Sequence, residues 1–309
     1  MPSILDEPRI IRWNKNRVYG LEFEFARDRV DRNILKRAIE SAGQRAQVRD
    51  WEHTHDNHGT WVCKTDSSCG WEVCSPPITG PTSLKVVGNV LDKMFQAGAE
   101  FNNNCGFHIH LSVNDFDQEK LYSLLAHWIK IEMMIMNSHP SHRRDNPYCK
   151  LCNNRISNYD PHREYSGDQL YEALSRERKQ TLNITNYGSR RTIEFRMGDM
   201  TSDPEDVKNR VRFLIWFTDV CRLMPMPKNL NWFTPKQAMR WLGLSYDQSD
   251  TIKKVFSPAV KSMRNWILKR LETNCPDQLY GKDKVSAIEM LKEFEDVDKK
   301  ITVPVNEEE

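Results

Sequence analysis

The chain has 309 residues, of which 39% are hydrophobic and 28% charged, with a formal net charge of +2. Such a chain can bury a sizeable core as one large domain or two small ones, and its composition is that of a folded protein rather than a disordered one. The near-neutral charge argues against a protein whose main business is coating nucleic acid, while leaving a local basic patch open.

No stretch approaches the roughly 18 consecutive apolar residues of a spanning helix. The most apolar run, "LLAHWIKIEMMIM", is broken by His127, Lys130 and Glu132. The first residues, "MPSILDEPRIIRW", lack a charged-then-apolar signal pattern. The eight cysteines have no small-scaffold spacing, so they read as reduced thiols of a cytoplasmic protein.

Residues 1–16 form a lead-in. Alternating, β-branched or aromatic runs predict strands at 17–26, 60–66, 70–75, 105–113, 181–187 and 190–197. A helix over 31–42 ends at Gly43. The stretch "HTHDNH" (His53, His55, His58) reads as a polar loop. A helix at 83–98 carries apolar positions at Leu84, Val87, Leu91, Met94 and Phe95. The next, 117–138, is capped by Asp117. Its Trp128, Met133, Met134 and Met136 are expected in a core or a helix interface. Asp203–Pro204 and Thr234–Pro235 are start signals for helices at 204–222 and 235–243. Two more are predicted at 257–273 and 282–299, with the charges of "KSMRNWILKR" forming a wet face. Residues 301–309 are an acidic tail. The fold class is α+β with a mainly antiparallel sheet. There is no Gly-rich strand-to-helix turn of the P-loop or dinucleotide type.

Four strands repeat one unusual design. In "GLEFEF", Glu22 and Glu24 share a face opposite Leu21, Phe23 and Phe25. Glu72 lies opposite Trp71 and Val73. His108 and His110 lie opposite Phe107, Ile109 and Leu111. Thr192, Glu194 and Arg196 lie opposite Ile193, Phe195 and Met197. One reading is the solvated side of a one-sided sheet. The other is a metal site: neighbouring carboxylates repel unless a cation sits among them, and oxygen ligands with an imidazole suit Mg²⁺ or Mn²⁺. The recurrence of ligand-type residues favours the metal site.

On these residues the chain resembles the amidoligases, a branch of the glutamine synthetase-like carboxylate–amine ligases. The matching blocks are "GLEFEF", "WVCKTDSSCGWEVCSPP", "NNNCGFHIHLSV" and "RRTIEFRMGDMTSDPEDV", in order over roughly residues 17–225. The resemblance implies a curved sheet, flanked by helices, whose polar concave face binds ATP and divalent cations. It implies a catalytic domain at 17–250 and a C-terminal helical extension at 251–300. Glu22, Glu24, Glu72, Glu194 and one histidine of His108 and His110, with His110 favoured, are the implied ligands. Arg196 is the implied phosphate-facing arginine.

The activity so implied is ATP-dependent amide or isopeptide formation through an acyl phosphate. A small-molecule or peptide carboxylate and an amine are the substrates. Arg196, with Arg191 as a second candidate, would stabilise the phosphoryl charge. Asp66 is a candidate base for the amine and Lys64 for an anionic substrate group, although Asp66 and Ser68 could equally serve the "TDSSCG" turn and Lys64 could be a solvated strand residue. In "HPSHRRDNPYCKLC", His139, His142, Cys149 and Cys152 could form a small zinc knuckle. The segment could instead be a loop of unpaired thiols, or Arg143 and Arg144 could serve ATP phosphates or substrate. Rival readings are a phosphotransferase on the same fold, a non-catalytic binding module, and a zinc- and nucleic-acid-binding protein.

Overall fold

The computed structural model describes residues 9–28, 30–50, 59–246 and 254–300. His53, His55, His58 and the acidic tail lie outside the described residues. The strands are β1 (Arg9–Ile11), β2 (Tyr19–Ala26), β3 (Ala46–Val48), β4 (Trp61–Asp66), β5 (Gly70–Cys74), β6 (Gly106–Ser112), β7 (Leu182–Asn183), β8 (Thr192–Asp199) and β9 (Lys254–Phe256). The helices are α1 (Arg32–Ser41), α2 (Gly80–Gln96), α3 (Gln118–Asn137), α4 (Ser141–Arg144), α5 (Gly167–Ser175), α6 (Tyr187–Arg190), α7 (Pro204–Leu223), α8 (Pro235–Trp241), α9 (Pro258–Asn274) and α10 (Asp277–Lys300).

Seven strands form one sheet in the order β3-β4-β5-β2-β6-β8-β7, antiparallel at every pairing except β3–β4. This is the α+β, mainly antiparallel class that the sequence implies. Helices α2, α3 and α7 cover its apolar face. Phe23 of β2 stacks on Phe107 of β6 at 4.8 Å, Phe25 meets Phe95 of α2, and Phe195 of β8 meets Trp128 of α3 and Phe217 of α7. Phe23, Phe25 and Trp128 are fully buried, each worth about 1.5–3 kcal/mol relative to an exposed side chain. Met134 and Met136 are core residues, as expected. Among the described residues, no helix is long and apolar enough to cross a membrane.

Three departures from the sequence reading have local causes. The predicted strand at 181–187 stops after Asn183, because the Asn183 carboxamide oxygen accepts from the backbone N–H (3.0 Å) and hydroxyl (2.8 Å) of Thr185. That turn competes with the ladder, and the chain enters α6. The lead-in contributes β1, which pairs in parallel with β9. A short strand whose partner lies 245 residues away (Arg9 against Lys254) leaves no periodicity to read.

The third departure concerns "KSMRNWILKR". Its charges are not simply a wet face: Arg264 of α9 is fully buried. Its guanidinium pairs with Asp298 of α10 at 2.6 Å and lies 4.1 Å from the Phe294 ring centroid. A buried Arg is tolerated where its fork is paired and its face is stacked. Met263, Ile267, Leu271 and Phe294 join the same apolar core as the sheet, so α9 and α10 buttress it.

Candidate active site

The strand register assembles the polar face row by row. Lys64 of β4 stands opposite Glu72 of β5, and Glu72 opposite Glu24 of β2. Glu22 stands between Cys74 and His108, and His110 of β6 stands opposite Glu194 of β8. A register shift between Phe107 and Ile109 displaces His108 against β8. Both imidazoles therefore approach one carboxylate: His108 Nδ1 and His110 Nε2 lie 3.4 and 3.8 Å from Glu194 Oε1. His110 Nε2 is also 3.0 Å from Glu22 Oε1, and His108 Nδ1 is 3.2 Å from Glu22 Oε2.

This face is not solvated. Glu22, Glu24, Glu72, His108, Glu194 and Arg196 are each between 3% and 8% exposed. Four carboxylates buried together are costly unless cations and donors compensate them. Fixed compensation comes from Lys64, 2.8 Å from Glu72, and from Arg196, hydrogen-bonded to Glu194. Asn183 donates to Glu194 Oε2 at 2.6 Å, and the Gly106 N–H donates to Glu24.

The titrations reflect this crowding. Burial raises the Glu72 carboxyl to about 7, with Glu22 as the next cause. Burial also works to raise Glu22, but the imidazoles of His110 and His108 reverse it and hold Glu22 well below its usual range. His110 goes up to about 9: burial opposes its charge, and the carboxylates of Glu22 and Glu194 overcome that.

Donor chemistry fits divalent cations. Ligand atoms of Glu22, His110 and Glu194 lie within 4.8 Å of one another, as do those of Glu22, Glu72 and Cys74, and those of Glu24, Asp66 and Cys69. Glu22 belongs to two of the three groups. The Glu22–His110–Glu194 set, two carboxylates and one imidazole, suits Mg²⁺ or Mn²⁺, whereas each of the other two sets includes a thiol, a softer donor that these ions do not favour. Of the two histidines, His110 joins such a group, while His108 lies among Glu22, Glu24 and Glu194.

Other candidates take different places. Asp66 Oδ1 accepts from the backbone N–H groups of Ser68 (2.6 Å) and Cys69 (3.1 Å), so it closes the β4–β5 turn and also faces Glu24. Arg143 donates to the Arg196 carbonyl at 2.9 Å and reaches the end of the cluster near Gly106. Arg144 instead donates to the carbonyls of His139 and Asn274, at 2.8 and 3.2 Å.

Arg191 takes a different place from Arg196. Its guanidinium lies 4.3 Å from the Tyr187 ring centroid and donates to the Phe116 carbonyl. It pins a turn rather than facing the carboxylates.

The structure does not gather the zinc candidates. His139 Nδ1 is bound to the Ile135 carbonyl at 2.7 Å, Cys149 donates to the Arg143 carbonyl at 3.4 Å, and Cys152 lies 3.4 Å from the Thr181 hydroxyl. No metal-ligand group among the described residues includes these three or His142.

Sequence reasoning missed Cys74, Cys69 and Asn183. Cys74 is in phase with Glu72 on β5 and was open to the period-2 argument. Asn183 meets Glu194 through the β7–β8 pairing, which no local pattern signals.

A family model described as "Putative amidoligase enzyme" matches residues 15–218, and the chain belongs to this family. No curated protein sequence matches it. Its structure is similar to a chain in the crystal structure of the complex between the prokaryotic ubiquitin-like protein Pup and its ligase PafA. That similarity has 12% identity and a TM-score of 0.36, and covers 93% of this chain and 65% of that one.

Proposed function

We propose that the chain is an ATP- and Mg²⁺-dependent carbon–nitrogen ligase that activates a carboxylate as an acyl phosphate and passes it to an amine. A carboxylate is a poor electrophile, and phosphorylation gives it a leaving group. The difficulty is bringing together two anions, the carboxylate and the triphosphate. Divalent cations held by Glu22, His110 and Glu194, with the carboxylates of Glu24 and Glu72 alongside, would neutralise phosphate oxygens.

The chain's own residues supply the rest. Arg196, 7% exposed and fixed by Glu194 and by the Tyr148 carbonyl (3.3 Å), presents a planar fork toward phosphoryl charge. The low exposure of the face excludes water, which would otherwise consume an acyl phosphate. Asp66, held below its usual range by Ser68 and Cys69 against the effect of burial, stays ionised and is the candidate acceptor of the amine proton.

The observation that carries this reading is the convergence of four buried carboxylates and two imidazoles from four strands, with Glu22 shared between two ligand groups. The test is ADP release with Mg²⁺ across a library of carboxylates and amines, including peptide carboxylates, with Glu24→Ala as the control. ADP release requiring both a carboxylate and an amine, and lost in the control, supports the ligase. Turnover that ignores the amine and yields a stable phosphorylated product makes it a phosphotransferase.

A further inference from the structure

At one end of β2 two turns bring thiols to a carboxylate pair. Ligand atoms of Glu24, Asp66 and Cys69 lie within 4.8 Å of one another. Asp66 and Cys69 belong to the β4–β5 turn, where the half-buried Cys69 thiol donates to Asp66 Oδ1 at 3.4 Å. Gly70 closes this turn at φ 132°. A Cβ there would come within 2.7 Å of the Arg27 backbone nitrogen, so the turn packs directly against the end of β2.

A second thiol arrives from the other side of β2. Strands β5 and β6 both pair with β2, and Cys105 immediately precedes β6 as Cys69 precedes β5. Cys105 is buried, and its sulfur accepts from the Asn102 backbone N–H at 3.5 Å. The next residue, Gly106, donates its N–H to Glu24. The two thiols hydrogen-bond each other, which pushes Cys69 up and pulls Cys105 down. Two sulfurs and two carboxylates, from three segments of chain, thus meet at the end of the polar face. Ser67, Asn102, Asn103 and Asn104 around them are exposed, which leaves an approach from solvent.

The donor set selects the ion. Mg²⁺ takes oxygen ligands, whereas thiolates favour softer cations, and two thiolates with two carboxylates make a four-coordinate set for Zn²⁺. With zinc–ligand bonds of about 2.0–2.3 Å, the corners of a tetrahedral site stand roughly 3.3–3.8 Å apart. The Glu24–Asp66–Cys69 group therefore closes by about 1.5 Å at most. We propose that Glu24, Asp66, Cys69 and Cys105 form a Zn²⁺ site, separate from the Glu22–His110–Glu194 group. Two zinc–sulfur bonds form as two thiol protons leave to water. Zinc bound here occupies Glu24 and Asp66 and so switches off a ligase that uses them. That consequence rests on the ligase reading; the binding does not.

Titration with Co²⁺, a spectroscopic stand-in for Zn²⁺, tests the site without turnover. The full chain, kept reduced and in excess Mg²⁺, is expected to develop a thiolate-to-cobalt charge-transfer band that one equivalent of Zn²⁺ abolishes. Cys69→Ser and Cys105→Ser should each weaken Zn²⁺ binding by about 100-fold or more, beyond the usual effect of losing a group that only orients a ligand. Cys74→Ser, which alters the other thiol-containing group, should keep the band. Melting temperatures of the metal-free variants check that they fold, and the wild-type spectrum decides the matter if one does not. The inference is overturned if wild type shows no thiolate band, if the band survives in Cys69→Ser and Cys105→Ser, or if it disappears in Cys74→Ser alone. ADP release without a thiolate band would sink the zinc site and leave the ligase standing; a thiolate band without ADP release would do the reverse.

Discussion

Replacing Gly106 by Ala tests whether the carboxylate–imidazole cluster is a built site. A Cβ at Gly106 would lie 2.9 Å from His108 Nε2 and 3.2 Å from both Arg143 Nη2 and Glu24 Oε2. The Gly106 backbone is not in the left-handed region, so the perturbation is steric rather than conformational. His108 must withdraw by several tenths of an ångström, and it is buried with carboxylates at 3.2, 3.4 and 3.6 Å. Overpacking of this kind costs about 1–3 kcal/mol. A loss near 2 kcal/mol lowers the melting temperature by roughly 4–8 °C in a domain of about 150–250 residues, and somewhat less in a larger one. Liganding groups must be held within about 0.5 Å, so Mn²⁺ affinity should fall about tenfold or more. Thermal melts and Mn²⁺ titration followed by electron paramagnetic resonance measure both. Gly188→Ala is the control, because nothing lies within 4 Å of its Cβ position. If Gly106→Ala melts and binds Mn²⁺ like wild type, the packing argument for this site is refuted.

Asn183→Ala removes the 2.6 Å donor to Glu194 and should weaken Mn²⁺ binding by about 10–100-fold, the usual effect of losing a group that orients a ligand; unchanged affinity would mean that Glu194 is not a ligand. Glu194→Gln should weaken Mn²⁺ binding further than Asn183→Ala, and the reverse order in the same titration would show that Asn183 acts through something else. Burial holds His139 down at about 3 against 6.5 unfolded, so its neutral form favours folding fully above pH 6.5, and that contribution drains away as pH falls toward 3. By pH 5 the loss is of the order of 2 kcal/mol, and urea melts at pH 7 and pH 5 should show it shrinking in His139→Gln; equal losses in the two proteins would reject the assignment. Asp206→Ala strips a buried carboxylate that pairs with Arg210 (2.5 Å) and Arg270 (3.3 Å), at about 3 kcal/mol because Arg210 keeps Asp199 at 3.0 Å; a loss under about 1 kcal/mol in denaturant melts would show the network to be dispensable.

Most of the site's membership was written in the sequence because period 2 is a local property. Once "GLEFEF", "GWEVC", "GFHIH" and "TIEFR" are read as strands, the face of each Glu, His and Arg follows from its parity with neighbouring apolar residues. Helix starts at Pro204 and Pro235 were equally legible, since caps act over three or four residues. Tertiary structure alone decided which strands adjoin and in what register. That put Glu22 in two ligand groups, brought Asn183 to Glu194, and set Lys64 on Glu72. It also turned Arg191 toward Tyr187 and the Phe116 carbonyl, gave His139, Cys149 and Cys152 separate partners, and buried Arg264 against Asp298. The two groups sharing Glu22 and the Arg264–Asp298 pair join residues distant in the chain, and the Lys64–Glu72 and Asn183–Glu194 contacts depend on the register of paired strands. Pairing energies of that kind have no periodic trace in one sequence.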